Sequence, residues 1–257
     1  MTPQTPQKLQ EAHYREAAAT CMPGLSLDCV VFGFHENQLK VLLLRWKGTD
    51  EWSLPGGFIL KTESIDDAAH RVLRERAGLD EIFLQQFHVF GEAVRYDAER
   101  NWQRMGLQLA PDPSWPDRTI TVGYYALVEY SEVTPTPDVL TEECRWWDVR
   151  EVPDLLFDHG RIVEVALNTL RTQLSWQPVG YTLLPEKFTM PELQRLYETL
   201  LGQKLDPRNF YKKIAALGIL ERLDERRTGG AYKSPYLYRF QEEPYRQALE
   251  VGALGFG

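Results

Sequence analysis

The chain is poor in sulfur. Its three cysteines, Cys21, Cys29 and Cys144, form no CxxC pair and no cluster spaced like metal ligands. An odd, scattered set of this kind excludes a disulfide framework and leaves core thiols in a reducing compartment. Long apolar runs are also missing. No stretch approaches the roughly 18 apolar residues of a membrane-spanning helix. The opening MTPQTPQKLQEAHYREAAA lacks the apolar centre of a secretory signal. A cytoplasmic protein with no membrane partner is expected. Internal repeats and low-complexity tracts are absent too. So is an overall basic excess: the net charge is −8, which for the chain as a whole argues against nucleic acid.

What is present is a globular composition, 43% hydrophobic and 26% charged, in 257 residues, enough for two domains. The charge is unevenly placed. Between Lys204 and Arg239 nine basic residues stand against four acidic ones, so the rest of the chain is strongly acidic. Such a split marks a nucleic-acid module joined to an acidic partner domain.

Along the chain, residues 8–20 read as a short helix or a frayed tail. Strands are expected at 25–34 and 39–46 around the turn His35–Gln38, at 82–94, at 119–130 and at 144–149. Residues 95–116, with Trp102 and Trp115, read as an insertion or long loop. Helices are expected at 64–77, where Ser64 can cap and Gly78 can stop the helix, and at 159–174. The stretch 176–180 is the best linker. Beyond it, Thr189 with Glu192 forms a capping box with Pro191 in the first turn, and Asp206 caps a second helix with Pro207 first. Phe210, Ile214 and Leu217 would face inward. Two strand-like pieces, 220–223 and 236–240, flank a basic tip at Arg226 and Arg227. Helix, turn, helix and basic hairpin is the plan of a winged helix-turn-helix. The bland alternative is a solvated helix beside a charged hairpin. The resulting division is an N-terminal tail or short helix at 1–22, a first domain at 23–176, a linker at 177–182, a second domain at 183–245 and a tail at 246–257.

The densest signal is Gly57–Leu79, GFILKTESIDDAAHRVLRERAGL. It resembles the Nudix box, G-x5-E-x7-R-E-U-x-E-E-x-G-U, with U aliphatic. Gly57, Glu63, Arg71, Leu73, Glu75, Gly78 and Leu79 match, whereas Val72 and Arg76 replace glutamates. In that family the glutamates matching 72, 75 and 76 hold Mg2+ or Mn2+, hard cations that need carboxylate oxygens. Spacing i, i+3, i+4 puts them on one helix face. Here Val72 offers no ligand. Arg76 would repel a divalent ion by on the order of several kcal/mol at about 4 Å and an effective dielectric of about 20. Neither a metal nor any other cofactor is expected, and no catalytic residue is assigned. Glu63 has a second reading, as a loop and backbone cap.

A degenerate Nudix box followed by a basic winged helix resembles the Nudix-related transcriptional regulators of the NrtR and AraR type, over roughly residues 25–240. The resemblance implies an α+β chain, a Nudix αβα sandwich followed by a winged helix-turn-helix. The first domain would sense a small-molecule effector and dimerise, and the second would bind palindromic double-stranded operator DNA. Carried over by position, Arg208, Asn209, Lys212 and Lys213 would lie in the recognition helix, with Arg226 and Arg227 in the wing; Lys204 and Lys233 are further candidate DNA contacts. The effector would be ADP-ribose or a sugar such as L-arabinose. Candidate effector contacts are Arg45, Phe58, Glu63, Glu75, Arg76 and Arg118. A neutral sugar is slightly favoured, because a diphosphate is often handled in the family with metal. The rival readings are a Nudix hydrolase acting on ADP-ribose or a related conjugate, with Glu63 and Glu75 as replacement ligands, and a sensor that does not bind DNA.

Overall fold

In a computed structural model, residues 5–80, 82–107, 118–174, 178, 181–227 and 234–251 are described. The chain divides into two compact units. The first comprises 1–32, 40–126 and 131–166; the second comprises 33–39, 127–130 and 167–257. Residues 228–230 of the expected tip, Lys233, Trp115 and most of the expected linker lie outside the described residues.

The first unit is built on a seven-stranded sheet. Its strands are β1 (Cys21–His35), β2 (Gln38–Trp46), β3 (Trp52–Ser53), β4 (Gly56–Leu60), β5 (Leu84–Phe90), β6 (Ile120–Glu129) and β7 (Thr141–Asp148). The order runs β3-β2-β1-β6-β5, with β4 paired to β1 and β7 paired to β2. Leu27 and Cys29–Phe32 on β1, and Val41–Leu44 on β2, are buried without alternation. Both faces of these strands are therefore covered. The thiols of Cys21 and Cys29 are buried and unpaired, and that of Cys144 is half-buried. Between β1 and β2, Glu36 and Asn37 both take positive φ, the backbone that a two-residue hairpin requires.

Helix α1 (Pro6–Thr20) precedes the sheet. Helix α2 (Ile65–Ala77) carries the box. Ser64 accepts a hydrogen bond from the Asp67 N–H at its start, and Gly78 ends it at φ +67°. Ala68, Ala69, Val72, Leu73 and Arg76 form its buried stripe, while Ile65 stays exposed. The segment expected to be loop contains α3 (Ala98–Arg104), capped by Asp97. Strand β4 is likewise absent from the sequence reading. Helix α4 (His159–Leu174) has the expected bounds.

The second unit contains β8 (Phe188–Thr189), α5 (Met190–Leu201), α6 (Pro207–Ala216), β9 (Leu220–Arg226), β10 (Tyr236–Phe240) and α7 (Glu242–Val251). The three strands form one sheet, β8-β10-β9. The capping box is complete: Thr189 Oγ1 accepts from Glu192 N–H, and the Glu192 carboxylate accepts from Thr189 N–H at 2.6 Å. Asp206 accepts from Asn209 N–H and starts α6. Leu193, Leu196, Tyr197, Leu200, Phe210 and Ile214 are buried, and Leu217 is half-buried. Residues 246–251, expected as tail, continue α7, because Tyr245 anchors it: its ring meets Tyr181 and Phe240, and its hydroxyl donates to Pro178 O.

At Gly78 a Cβ would stand 2.2 Å from Thr136 Oγ1, and the backbone is left-handed. Gly78→Ala is expected to cost about 1–3 kcal/mol, measured by urea unfolding.

Candidate functional site

The box arginine organises the turn into α2. Arg71 donates to both Glu63 oxygens at 2.7 and 2.9 Å, to Phe58 O at 2.9 Å and to Glu75 at 2.8 Å. Glu63 also accepts from Leu60 N–H at 2.8 Å. These Arg71 and backbone bonds hold the Glu63 carboxyl below its usual range. Glu63 and Glu75 are thus committed to Arg71. Val72 is buried, and its methyl would lie 3.0 Å from a Cβ on Gly57. A hard divalent cation does not fit this donor set.

Arg76 points inward. It is 8% exposed, pairs with Asp138 and lies with its guanidinium carbon 5.2 Å from the Trp46 ring centre. Its Nε is buried with no hydrogen-bond partner among the described residues. Asp138 is fixed in turn by Leu140 N–H, Thr141 N–H and the Thr141 hydroxyl.

Arg76 lines a cavity of about 360 Å3 within the first unit. Three walls are aromatic or polar in distinct ways. Tyr14, Trp46, Phe58, Tyr96, Trp102 and Phe157 give flat apolar surface. At the floor, Arg95 pairs with Asp158 at 2.6 and 2.9 Å, with side chains 4% and 6% exposed. Arg95 also donates to Thr121, and Thr121 shares a 2.6 Å hydrogen bond with Ser26. Beside them, His159 Nδ1 accepts from Leu54 N–H at 2.9 Å, which leaves Nε2–H facing Asp28 at 3.3 Å. Burial pushes the Asp28 carboxyl up to about 7, against the pull of Arg95, and pushes His159 down to about 4. At the rim, Arg118 donates to Gly91 O.

Helix α3 holds one wall in place. Arg104 donates to Leu155 O and Asp154 O and pairs with Glu51. Asn101 accepts from Phe157 N–H, at a residue with φ +57°. A left-handed phenylalanine costs on the order of 1–3 kcal/mol and sets the turn that delivers Asp158 and His159.

Of the six expected effector contacts, Phe58, Arg76 and Arg118 line the cavity. Arg45 does not: it pairs with Glu142 and Glu143. Glu63 and Glu75 do not line it either; both pair with Arg71. Sequence reasoning missed Asp28, Arg95, Asp158, His159, His13 and Tyr14. The adjacent polar pair Asp158-His159 at a helix start was the available signal.

In the second unit, Arg208, Asn209, Lys212 and Lys213 are exposed along α6. Lys204 is exposed and pairs with Glu198. Arg226 stacks 3.9 Å from the Tyr236 ring centre and donates to Ser234 O. Arg227 is held by both oxygens of Glu192, at 2.8 and 2.7 Å, so one carboxylate caps α5 and ties down the strand end. Arg222, 4.7 Å from the Tyr236 ring centre, was missed.

Residues 22–165 match the NUDIX domain family, and residues 180–240 match the NrtR DNA-binding winged helix domain. A curated relative from Acinetobacter baylyi, the "ADPR responsive transcriptional repressor NtrR", is 27% identical over 230 residues, covering 87% of this chain and 84% of its own. The crystal structure of Shewanella oneidensis NrtR matches with a TM-score of 0.67 and 28% identity, covering 86% of this chain and 96% of that one. The same protein complexed with a 27mer DNA matches with a TM-score of 0.65 and 27% identity, over 86% and 95%.

Asp28 gives a pH signature. The folded chain keeps its proton up to about pH 7, whereas an unfolded aspartate releases it near 4. Its burial therefore costs progressively more stability as pH rises across that window. Asp28→Asn keeps an acceptor for His159. It is expected to exceed wild type by about 1–3 kcal/mol above pH 7 and to converge with it near pH 4, read by urea unfolding across pH.

Proposed function

We propose that this chain, which belongs to the Nudix-related transcriptional regulators of the NrtR type, is an ADP-ribose-responsive repressor whose Nudix domain senses without cleaving. The observation that carries the reading is the inward turn of Arg76. A position that holds a metal glutamate in hydrolases here supplies a cation to a cavity. The sequence alone favours a neutral sugar. The ADP-ribose response of the Acinetobacter relative, and a cavity with Arg76 and Arg118 beside aromatic rings, favour the nucleotide instead. Arginines can take the diphosphate without metal. Asp28, Ser26 and Thr121 suit ribose hydroxyls, and the rings suit the base.

The Shewanella complex with DNA supports the winged helix as the operator reader. Arg208, Asn209 and Lys212 present exposed donors on α6, and Arg226 and Arg222 add cations on the hairpin. A homodimer would set two such helices on the halves of a palindrome. Effector and operator then couple through their preferences for different states of the protein, and the coupling is reciprocal.

The test is a gel shift on DNA upstream of the chain's own operon, across salt and with ADP-ribose or L-arabinose added. ADP-ribose is expected to change operator affinity at least about tenfold, and bound operator to change ADP-ribose affinity by the same factor. Arg208→Ala is expected to weaken operator binding about tenfold and to lower the salt slope by about one. ADP-ribose incubated with the protein and Mg2+ is expected to remain intact by chromatography. Turnover, or a response to arabinose alone, would overturn the reading.

A further inference from the structure

Helix α1 lies outside residues 22–165, the part matched as a Nudix domain. It nevertheless reaches the cavity, where His13 and Tyr14 form part of the lining. We propose that α1 belongs to the effector site: His13 contacts the anionic group held by Arg76, and Tyr14, with Phe58, contacts the flat ring. This inference rests on the cavity being the ADP-ribose site.

Three observations carry it. First, packing alone explains α1 poorly. Of its 15 residues only Gln10 and Ala17 are buried. A short helix with so little apolar burial gains little stability from its own sequence. It is fastened at its C-terminal end, where Lys61 donates to Ala19 O and Thr20 O at 2.9 and 3.2 Å. Leu9 and Tyr14 rest on the cluster around Trp46. Second, residues 10, 13, 14 and 17 share one helix face, so the side that meets the sheet unit is the side that carries His13 and Tyr14. Third, the chemistry is complementary to Arg76. His13 meets Tyr14 edge-on at 5.8 Å. It sits in the field of Arg76, Asp138, Glu16 and Glu75. Burial and Arg76 lower its proton affinity, so it meets a ligand as a neutral imidazole with one N–H to donate. An anion at Arg76 would accept that hydrogen bond and offset the arginine charge. Tyr14 and Phe58, 6.2 Å apart at an interplanar angle of 63°, form an edge-to-face corner that a planar ring can enter.

Calorimetry with the full chain tests this, with ADP-ribose and adenosine as probes. Failure of the wild-type chain to bind ADP-ribose would sink the cavity reading itself. Given that binding, His13→Ala is expected to weaken ADP-ribose at least fivefold with a smaller effect on adenosine. Tyr14→Ala is expected to weaken both at least tenfold, with folding checked by circular dichroism. Hydrogen exchange on the wild-type chain is independent of any variant: amides of residues 6–20 are expected to slow when ADP-ribose is added. Wild-type affinity in both variants, or α1 exchange that ignores bound ADP-ribose, would overturn the proposal.

Discussion

The ion pair between Arg95 and Asp158 holds the cavity together. Both side chains are almost fully buried. Removing either would strand the other charge, at a cost of about 3–5 kcal/mol. Arg95 also donates to Thr119 O just before β6 and to Thr121 on it, so the pair pins the turn before α4 to the sheet. That turn brings His159 against Leu54 N–H and Asp28. It is bent through Phe157 in the left-handed region, and α3 supports it from behind. The floor and one wall of the site are consequences of this one contact.

The residues of the box brace the turn into α2. Arg71 joins Glu63, Glu75 and the Phe58 carbonyl, which fixes where β4 ends and α2 begins. The two replaced positions then divide the labour: Val72 fills the space beside Gly57, and Arg76 reaches the cavity. In the second unit a single carboxylate, Glu192, is shared between a helix cap and Arg227. The start of α5 and the end of β9 are thereby fixed together.

Much of the fold was legible because its signals are local. Ser64, Gly78, Thr189 with Glu192, and Asp206 with Pro207 mark helix ends through bonds made within a few residues. The periodicity of 159–174 needs no distant partner. Strands β4 and β8 gave no such signal: five and two residues, respectively, formed only by pairing with β1 and β10. Helix α3 was hidden in a polar segment whose value lies in what Asn101 and Arg104 touch more than fifty residues away. The site was legible to the same extent. The motif placed Arg76 and Phe58 by spacing. Spacing could not say that Arg71 consumes Glu63 and Glu75, or that Arg45 turns to Glu142 and Glu143. Arg95 and Asp158 meet across 63 positions, a contact that only the tertiary fold creates.

Two of the cavity's arginines are already partnered, Arg76 by Asp138 and Arg95 by Asp158, whereas Arg118 donates to the Gly91 carbonyl. An anion entering beside either pair would gain only the difference between itself and a resident carboxylate, after desolvation. Occupancy then depends on exchange between near-equal partners. In the service of an effector, such a site would empty readily as the ligand became scarce and could follow a changing concentration, whereas bare cations would hold the first anion to arrive.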